Sequence, residues 1–217
     1  MIAATYALDT IPPGATLHGV TASPARADGR DALRVSLADE VVAHGTPDVD
    51  YIDAPTFVRI PHPFVTGTIE VDILARLLPG APDYARAFAG IAYRINGSAD
   101  RFESVYVRPM NGRKMAPPPP RDRRAVQYFA YPDWKFDRLR HDSPDGRFEA
   151  GADIAPGEWI RLRVDVGATT VTVRVNGDVV LRDLEAKVPA ARGEIGTWVD
   201  IGTEAFFANL RVTPAEG

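Results

Sequence analysis

Hydrophobic and polar positions alternate over several short segments of the chain. Residues 68–74 are the clearest case, with Ile69, Val71 and Ile73 on one face and mostly polar residues at the positions between them. A period of two predicts a β-strand with one buried face. This pattern, or a short apolar run bounded by turn residues, predicts further strands at 32–37, 56–60, 88–94, 102–108, 125–129, 159–166, 170–175, 179–182, 195–199 and 205–212.

Helical periodicity is nearly absent, and only residues 83–89 and 133–140 could form a helical turn or two. Asn176-Gly177 lies between two β-branched runs and predicts a two-residue hairpin, because both turn positions need positive φ. Many short strands with few helices indicate an all-β sandwich or barrel. A chain of 217 residues fits one large domain of this class, spanning 1–217, better than two domains.

Composition narrows the function classes. A net charge of −4 gives no broad basic field, so we expect no nucleic-acid partner. The chain has no cysteine and four histidines, which excludes thiol chemistry and leaves few ligands for a transition metal. Its first residues lack a basic and apolar leader and no stretch could span a bilayer, so we expect a cytoplasmic protein with no membrane partner. If a signal was removed, the location would be periplasmic or secreted.

The order of motifs from Gly67 to Thr213 resembles bacterial concanavalin A-like lectin/glucanase domains. The residues that carry the resemblance are Gly67-Thr-Ile-Glu-Val-Asp-Ile73, Phe88-Ala-Gly-Ile-Ala-Tyr-Arg94, Ser104-Val-Tyr-Val-Arg-Pro-Met-Asn-Gly-Arg113, Ala125-Val-Gln-Tyr-Phe-Ala-Tyr-Pro132, Pro156-Gly-Glu-Trp-Ile-Arg-Leu-Arg163, Val173-Arg-Val-Asn-Gly177 and Gly202-Thr-Glu-Ala-Phe-Phe-Ala-Asn-Leu-Arg-Val212. Such domains include laminin-G-like, family 16 glycosidase-like and 3-keto-disaccharide-hydrolase-like proteins. The resemblance implies a two-sheet antiparallel jelly-roll sandwich, a fold that hosts lectins, hydrolases and lyases alike.

One catalytic motif of this group can be tested on the sequence. Family 16 hydrolases carry two catalytic glutamates on one strand, as Glu-x-Asp-x-Glu or Glu-x-Asp-x-x-Glu. Here Glu70 and Asp72 are followed by Leu74 and Ala75, so the second glutamate of a retaining pair is missing. We therefore expect Glu70 and Asp72 to form the solvated side of a strand.

A polar and aromatic cluster lies between Tyr106 and Trp134. Alternation along 102–108 puts Ser104, Tyr106 and Arg108 on one face and the valines on the other. Aromatic rings can stack on sugar rings, and arginine and amide groups can bind hydroxyls or a uronate carboxylate. The predicted ligand-binding residues, beneath a loop formed by the proline run at 117–120, are Tyr106, Arg108, Asn111, Arg113, Arg124, Gln127, Tyr131 and Trp134.

Three functions stay open at this point. The first is a carbohydrate-active domain that binds or processes a glycan or another sugar-derived small molecule on that Arg/Tyr-rich face. The second is a lyase or hydrolase with Tyr128 or His62 as general base, where His62 sits in a rigid exposed turn between two prolines. The third is a structural interaction module without a small ligand. The sequence leaves the oligomeric state open.

The sequence indicates no required cofactor. The resemblance implies that a structural calcium could bind, since many concanavalin A-like domains hold one with acidic side chains and carbonyl oxygens. The candidate ligands are Asp200, Glu204 and Asn209, where Asn209 replaces an aspartate that is frequent in the family.

Overall fold

The computed structural model describes residues 2–215, which form two antiparallel sheets. Their strands are β1 Ala4–Tyr6, β2 Thr16–His18, β3 Val20–Ala27, β4 Arg30–Leu37, β5 Phe57–Phe64, β6 Gly67–Leu77, β7 Ala89–Ile95, β8 Phe102–Val107, β9 Val126–Tyr131, β10 Glu149–Ala150, β11 Trp159–Val166, β12 Thr170–Val175, β13 Asp178–Glu185, β14 Gly193–Val199 and β15 Thr203–Pro214. Two short α-helices are present, α1 Asp39–His44 and α2 Phe136–Asp142, with 3₁₀ turns at Pro109–Asn111, Arg113–Met115 and Arg121–Arg123. Neither α-helix in residues 2–215 is long and apolar enough to cross a membrane.

Strands that are distant in sequence are neighbours in both sheets. The first sheet has the order β13-β12-β11-β6-β15-β4-β3, and β1 pairs with β15 as well. The second sheet has the order β10-β9-β8-β7-β14-β5-β2. The pairings β6–β15 and β5–β14 join the two halves of the chain. The predicted all-β, two-sheet jelly roll is confirmed.

All eleven predicted strands are present, and the hairpin is confirmed. Asn176 and Gly177 have φ angles of 52° and 95° between β12 and β13, as a two-residue turn of this kind requires. Strands β1, β2, β3 and β10 and helix α1 were not predicted. The expected helical turn at 83–89 is not helical, and the one at 133–140 occurs slightly later as α2.

The core lies between the two sheets. On β6, Ile69, Val71 and Ile73 are at most 1% exposed, as the alternation predicted. On the second sheet, the Tyr128 hydroxyl accepts a hydrogen bond from Lys187 N, just beyond β13 of the first sheet. Tyr128 and its alternation partners therefore face the first sheet, and the residues between them face away from it.

Candidate functional site

Aromatic side chains fill much of the face of the second sheet that points away from the first sheet, called here the outer face. Tyr106 lies against Trp198 with ring centroids 4.7 Å apart, and Phe129 contacts both rings. Gly90 makes room for this contact, because a Cβ there would lie 2.6 Å from Tyr106 Cβ. The loop before β5 covers the cluster, where Trp198 Nε1 donates to the Ala54 carbonyl at 2.8 Å. The outer face is thus largely closed.

A cavity remains at one end of the outer face, where β5, β7 and β9 begin and β8 and β14 end. Its volume is about 260 Å³. Five of its lining residues are arginines and two are aspartates. The cavity, called here the arginine pocket, is lined by Ile52, Asp53, Tyr84, Arg86, Phe88, Tyr106, Arg108, Asn111, Arg121, Arg124, Phe136, Arg140, Asp200 and Ile201.

Arg108 forms the buried centre of the arginine pocket. One of its terminal nitrogens donates to Glu149 Oε1 at 2.6 Å, and the other donates to the Tyr106 hydroxyl at 2.7 Å and to Gln127 Oε1 at 3.1 Å. Glu149 also binds Arg140 through two hydrogen bonds of 2.6 and 2.8 Å, and its Oε2 lies 3.3 Å from Arg124 Nε. Although burial opposes ionisation, the hydrogen bonds and charges of Arg140 and Arg108 lower the pKa of Glu149. One carboxylate thus fixes three arginines.

Two aspartates form the opposite wall of the pocket. Asp200 accepts backbone hydrogen bonds from Ile52, Asp53 and Ile201 at 2.7–3.0 Å, so its carboxylate holds the loop before β5 in place. Asp53 Oδ2 accepts from Phe136 N at 2.8 Å. Burial and the neighbouring charge of Asp200 raise the pKa of Asp53 to about 7. Asp53 can therefore gain or lose a proton near neutral pH.

The arginines of the pocket repel one another. Burial and the charges of Arg121 and Arg108 lower the pKa of Arg86, and burial and Arg140 lower that of Arg124. Within residues 2–215, neither Arg86 nor Arg121 has a carboxylate within 4.0 Å. Five guanidinium groups face two aspartates and the shared Glu149, so the pocket keeps an excess of positive charge that favours an anion.

Asn111 adds an unpaired acceptor. Its Nδ2 donates to the Arg124 carbonyl at 3.0 Å, whereas its Oδ1 is buried and has no hydrogen-bond partner among residues 2–215. A buried acceptor without a partner costs about 1–3 kcal/mol.

More than nine-tenths of the chain superposes on solved structures at low sequence identity. The carbohydrate-binding module CBM66 from Bacillus subtilis gives a TM-score of 0.55 at 13% identity, covering 91% of this chain and 98% of that one. The β-glucanase of Bacillus licheniformis gives 0.55 at 12% identity and 98% coverage of both chains. The fold is that of a concanavalin A-like jelly roll. A Bacillus subtilis protein of unknown function with a galectin-like fold gives 0.56 at 13% identity, covering 96% of this jelly roll and 94% of that chain.

No family model and no curated protein matches the sequence of this jelly roll. At identities of 12–13%, the structural similarity establishes the fold alone. The ligand has to be inferred from the residues that line the site.

Four of the predicted ligand-binding residues line the arginine pocket, namely Tyr106, Arg108, Asn111 and Arg124. The other four lie outside the arginine pocket. Gln127 is fully buried beneath Arg108, and Arg113 lines two adjoining clefts. Tyr131 stacks on Phe102 with ring centroids 5.2 Å apart, and Trp134 is covered by Arg138, 4.0 Å from its ring. Instead of the expected concave Arg/Tyr-rich face, the outer face is largely closed and has a pocket at its end.

The structure contradicts the expected surroundings of both general-base candidates. Tyr128 is 0% exposed on the inner face, and its hydroxyl donates to Glu103 Oε2 at 2.5 Å. His62 lies within strand β5 and is 8% exposed, although the two flanking prolines had suggested an exposed turn. Its Nδ1 is 3.2 Å from the Tyr6 hydroxyl, and burial lowers its pKa. Neither residue lines the arginine pocket.

The three predicted calcium ligands have separate partners. Asp200 binds backbone amides, Glu204 binds Arg34 and Arg76 at 2.6 Å each, and Asn209 donates to Asp72 Oδ2 at 2.9 Å. No group of three or more His, Cys, Asp or Glu within residues 2–215 could hold a metal ion. Asp72 was expected on a solvated face, but it is 5% exposed because it also binds Arg161 at 3.1 Å.

Several pocket residues were missed by the sequence analysis. Asp53 and Arg86 lie in irregular segments, where no periodicity indicates which way a side chain points. Arg140 comes from α2 and meets Glu149 only because the segment after α2 folds back onto β9. Asp200, which directly follows a predicted strand, was named from the sequence as a calcium ligand and not as a pocket residue.

Proposed function

We propose that this jelly roll binds an acidic carbohydrate, one that carries a carboxylate such as a uronate, in the arginine pocket. The observation that carries the proposal is the convergence of five arginines on one cavity with too few carboxylates to balance them. The guanidinium group binds carboxylates through two parallel hydrogen bonds, so Arg86 and Arg121 suit this role.

The rest of the pocket suits a sugar ring. Tyr84, Phe88 and Phe136 offer aromatic surface in the lining. The volume of about 260 Å³ lies just below the range of roughly 300–1,000 Å³ usual for ligand pockets, which suits a single sugar residue. Proteins of similar fold include a carbohydrate-binding module and a β-glucanase, which agrees with a saccharide ligand.

Calorimetric titration with a panel of oligogalacturonates, oligomannuronates and oligoglucuronates tests this proposal. We expect at least one to bind, and its methyl-esterified form, which lacks the charge, to bind at least tenfold more weakly. Arg121→Ala should weaken binding about tenfold, the size of one charge-assisted hydrogen bond. Arg211→Ala removes an exposed arginine outside the pocket and serves as the matched control. Equal binding of charged and esterified forms, or no binding at all, would overturn the proposal.

Asp53 favours a second candidate function, an acid–base enzyme that cleaves the same ligand. A carboxyl with a pKa of about 7 inside a binding pocket can both donate and accept a proton at neutral pH. Incubation with the acidic panel should then release new reducing ends, and Asp53→Asn should stop the release without abolishing binding. A jelly roll that binds the panel and leaves it intact is a binding module.

A further inference from the structure

We propose that the acidic ligand extends out of the arginine pocket into an adjoining cleft, where a second acidic sugar residue binds to Arg113 and Arg123. This inference rests on the proposed function and names the ligand more narrowly, as an acidic oligosaccharide of two or more residues. The adjoining cleft has a volume of about 500 Å³, well above the 260 Å³ of the pocket.

The pocket and the adjoining cleft share a wall. Arg124 and Arg140 line both, and Glu149, which binds these two arginines, lies on the cleft side. The pocket and the cleft therefore meet at these two side chains. The shared arginines are therefore placed to contact the linkage region between two sugar residues.

The far part of the cleft carries free positive charge. Arg113 and Arg123 are exposed, and neither has a carboxylate within 4.0 Å among the residues that the structure describes. The two acidic residues of the cleft are already occupied, since Asp145 binds Arg147 and Glu149 binds three arginines. The overall charge of the chain is −4, so this basic groove stands out from an otherwise acidic molecule.

Gly151 leaves room for the guanidinium group of Arg113. A Cβ at residue 151 would lie 2.5 Å from the Asp122 carbonyl oxygen and 3.1 Å from Arg113 Nη2. The guanidinium group of Arg113 therefore packs directly against backbone at the far end of the cleft, and Arg113 N donates to the Ala152 carbonyl at 2.9 Å. The contact with the backbone at Gly151 leaves the guanidinium group less freedom to lose when it binds a ligand.

Beyond Arg113, the charges of the lining residues no longer favour an acidic ligand. A further cleft, called here the third cleft, has a volume of about 800 Å³ and shares Arg113 and Gly151 with the adjoining cleft, which is the second. It adds Arg182 but also the exposed Asp153 and Asp178, and its Lys114 is paired with Glu158 at 2.6 Å. Charge therefore favours acidic residues in the pocket and the second cleft only, and affinity should rise with the first few sugar residues and then level off.

Titration with oligogalacturonates and oligomannuronates of one, two, four and six residues tests the inference. In the wild-type chain, we expect affinity to rise at least tenfold from one to four residues and to change less than twofold from four to six. Arg113→Ala and Arg123→Ala should each lower affinity for the tetramer about five- to tenfold. Each variant loses one charge-assisted hydrogen bond, which is weakened by solvent exposure. Both should leave the monomer's affinity unchanged.

Arg182→Ala in the third cleft is the matched control and should leave every affinity within twofold of wild type. If monomer and tetramer bind equally, the second subsite is absent while the proposed function stands. If neither binds, the proposed function itself fails. If inorganic polyphosphate or a single-stranded oligonucleotide shows the same length dependence and the same losses in Arg113→Ala, the groove binds any polyanion, which overturns the saccharide subsite.

Discussion

Two buried arginine–glutamate clusters on opposite faces of the second sheet use the same residue types in different ways. On the inner face, Arg94 donates to Glu103 at 2.6 Å and to the Val65 and Gly167 carbonyls at 2.7–2.8 Å. At the end of the outer face, Arg108 donates to Glu149 at 2.6 Å and to the Tyr106 hydroxyl at 2.7 Å. Each cluster also contains a buried tyrosine hydroxyl.

The difference between them is charge balance and access. In the inner cluster one arginine meets one glutamate, both side chains are at most 2% exposed, and neither lines the pocket or the two clefts described above. In the pocket cluster, one glutamate serves three arginines, and two more arginines share the same cavity. The first arrangement joins the two sheets, whereas the second leaves positive charge available to a ligand. The types of residue alone do not separate a structural cluster from a binding site.

Glu103→Gln should produce the largest effect on folding. The substitution keeps the shape of the side chain but leaves the Arg94 charge buried without a counterion, which costs about 3–5 kcal/mol. We expect the free energy of unfolding, measured by urea denaturation, to fall by that amount, while the affinity of the remaining folded protein for an acidic oligosaccharide stays unchanged. A loss of affinity at unchanged stability would mean that the inner cluster belongs to the binding site.

Asp53→Asn should affect stability in a pH-dependent way. Unfolded aspartate titrates near 3.9 and folded Asp53 at about 7, so the folded state holds this proton more tightly. The stability gained from the protonated form is complete below about pH 4 and is lost as pH rises through 7. The variant, neutral at every pH, should therefore be more stable than wild type by up to about 4 kcal/mol at pH 8 and similar to it below pH 4.

Ligand titration provides a second measurement for Asp53→Asn. Wild-type affinity for an acidic oligosaccharide should increase as pH falls from 8 to 6, because a protonated Asp53 no longer repels the ligand carboxylate. The variant should bind with nearly constant affinity over that range. A wild-type affinity that does not change with pH would contradict a pKa near 7 for Asp53.

The sequence predicted the fold well because alternation survives wherever one face of a strand is buried. β11 and β12 have their predicted bounds, and the Asn176-Gly177 turn lies where its positive φ angles require it. β1 and β2 were missed because each has only three residues, too few for a period of two to be seen. β3 was missed because Pro24 and several polar residues interrupt its pattern at the sheet edge.

The site was predicted less completely, for a physical reason. Alternation correctly placed Tyr106 on the face opposite Val105, but it could not show that the loop before β5 would cover that face through Trp198 and Ala54. Tyr128 was counted as a site residue although it alternates with Gln127 and must point the other way. Applying the period of two strictly across β9 would have removed it from the site.

A pair of tyrosine substitutions gives the smallest expected effects and separates the two clusters most directly. Tyr128→Phe leaves Lys187 N–H without its acceptor at 2.9 Å and Glu103 Oε2 without its donor, which should lower the free energy of unfolding by about 1–2 kcal/mol. Tyr106→Phe removes an acceptor of Arg108 and should cost a similar amount.

Affinity distinguishes the two variants. Tyr106 lines the pocket, so the loss of its hydroxyl removes one of the groups that hold Arg108 and should weaken binding of an acidic oligosaccharide several-fold. Tyr128 faces the first sheet, and Tyr128→Phe should bind as wild type once the folded fraction is taken into account. If Tyr128→Phe weakened binding and Tyr106→Phe did not, the functional face of the second sheet would be the inner one. The charge imbalance around Arg108 would then be a feature of stability and not of recognition.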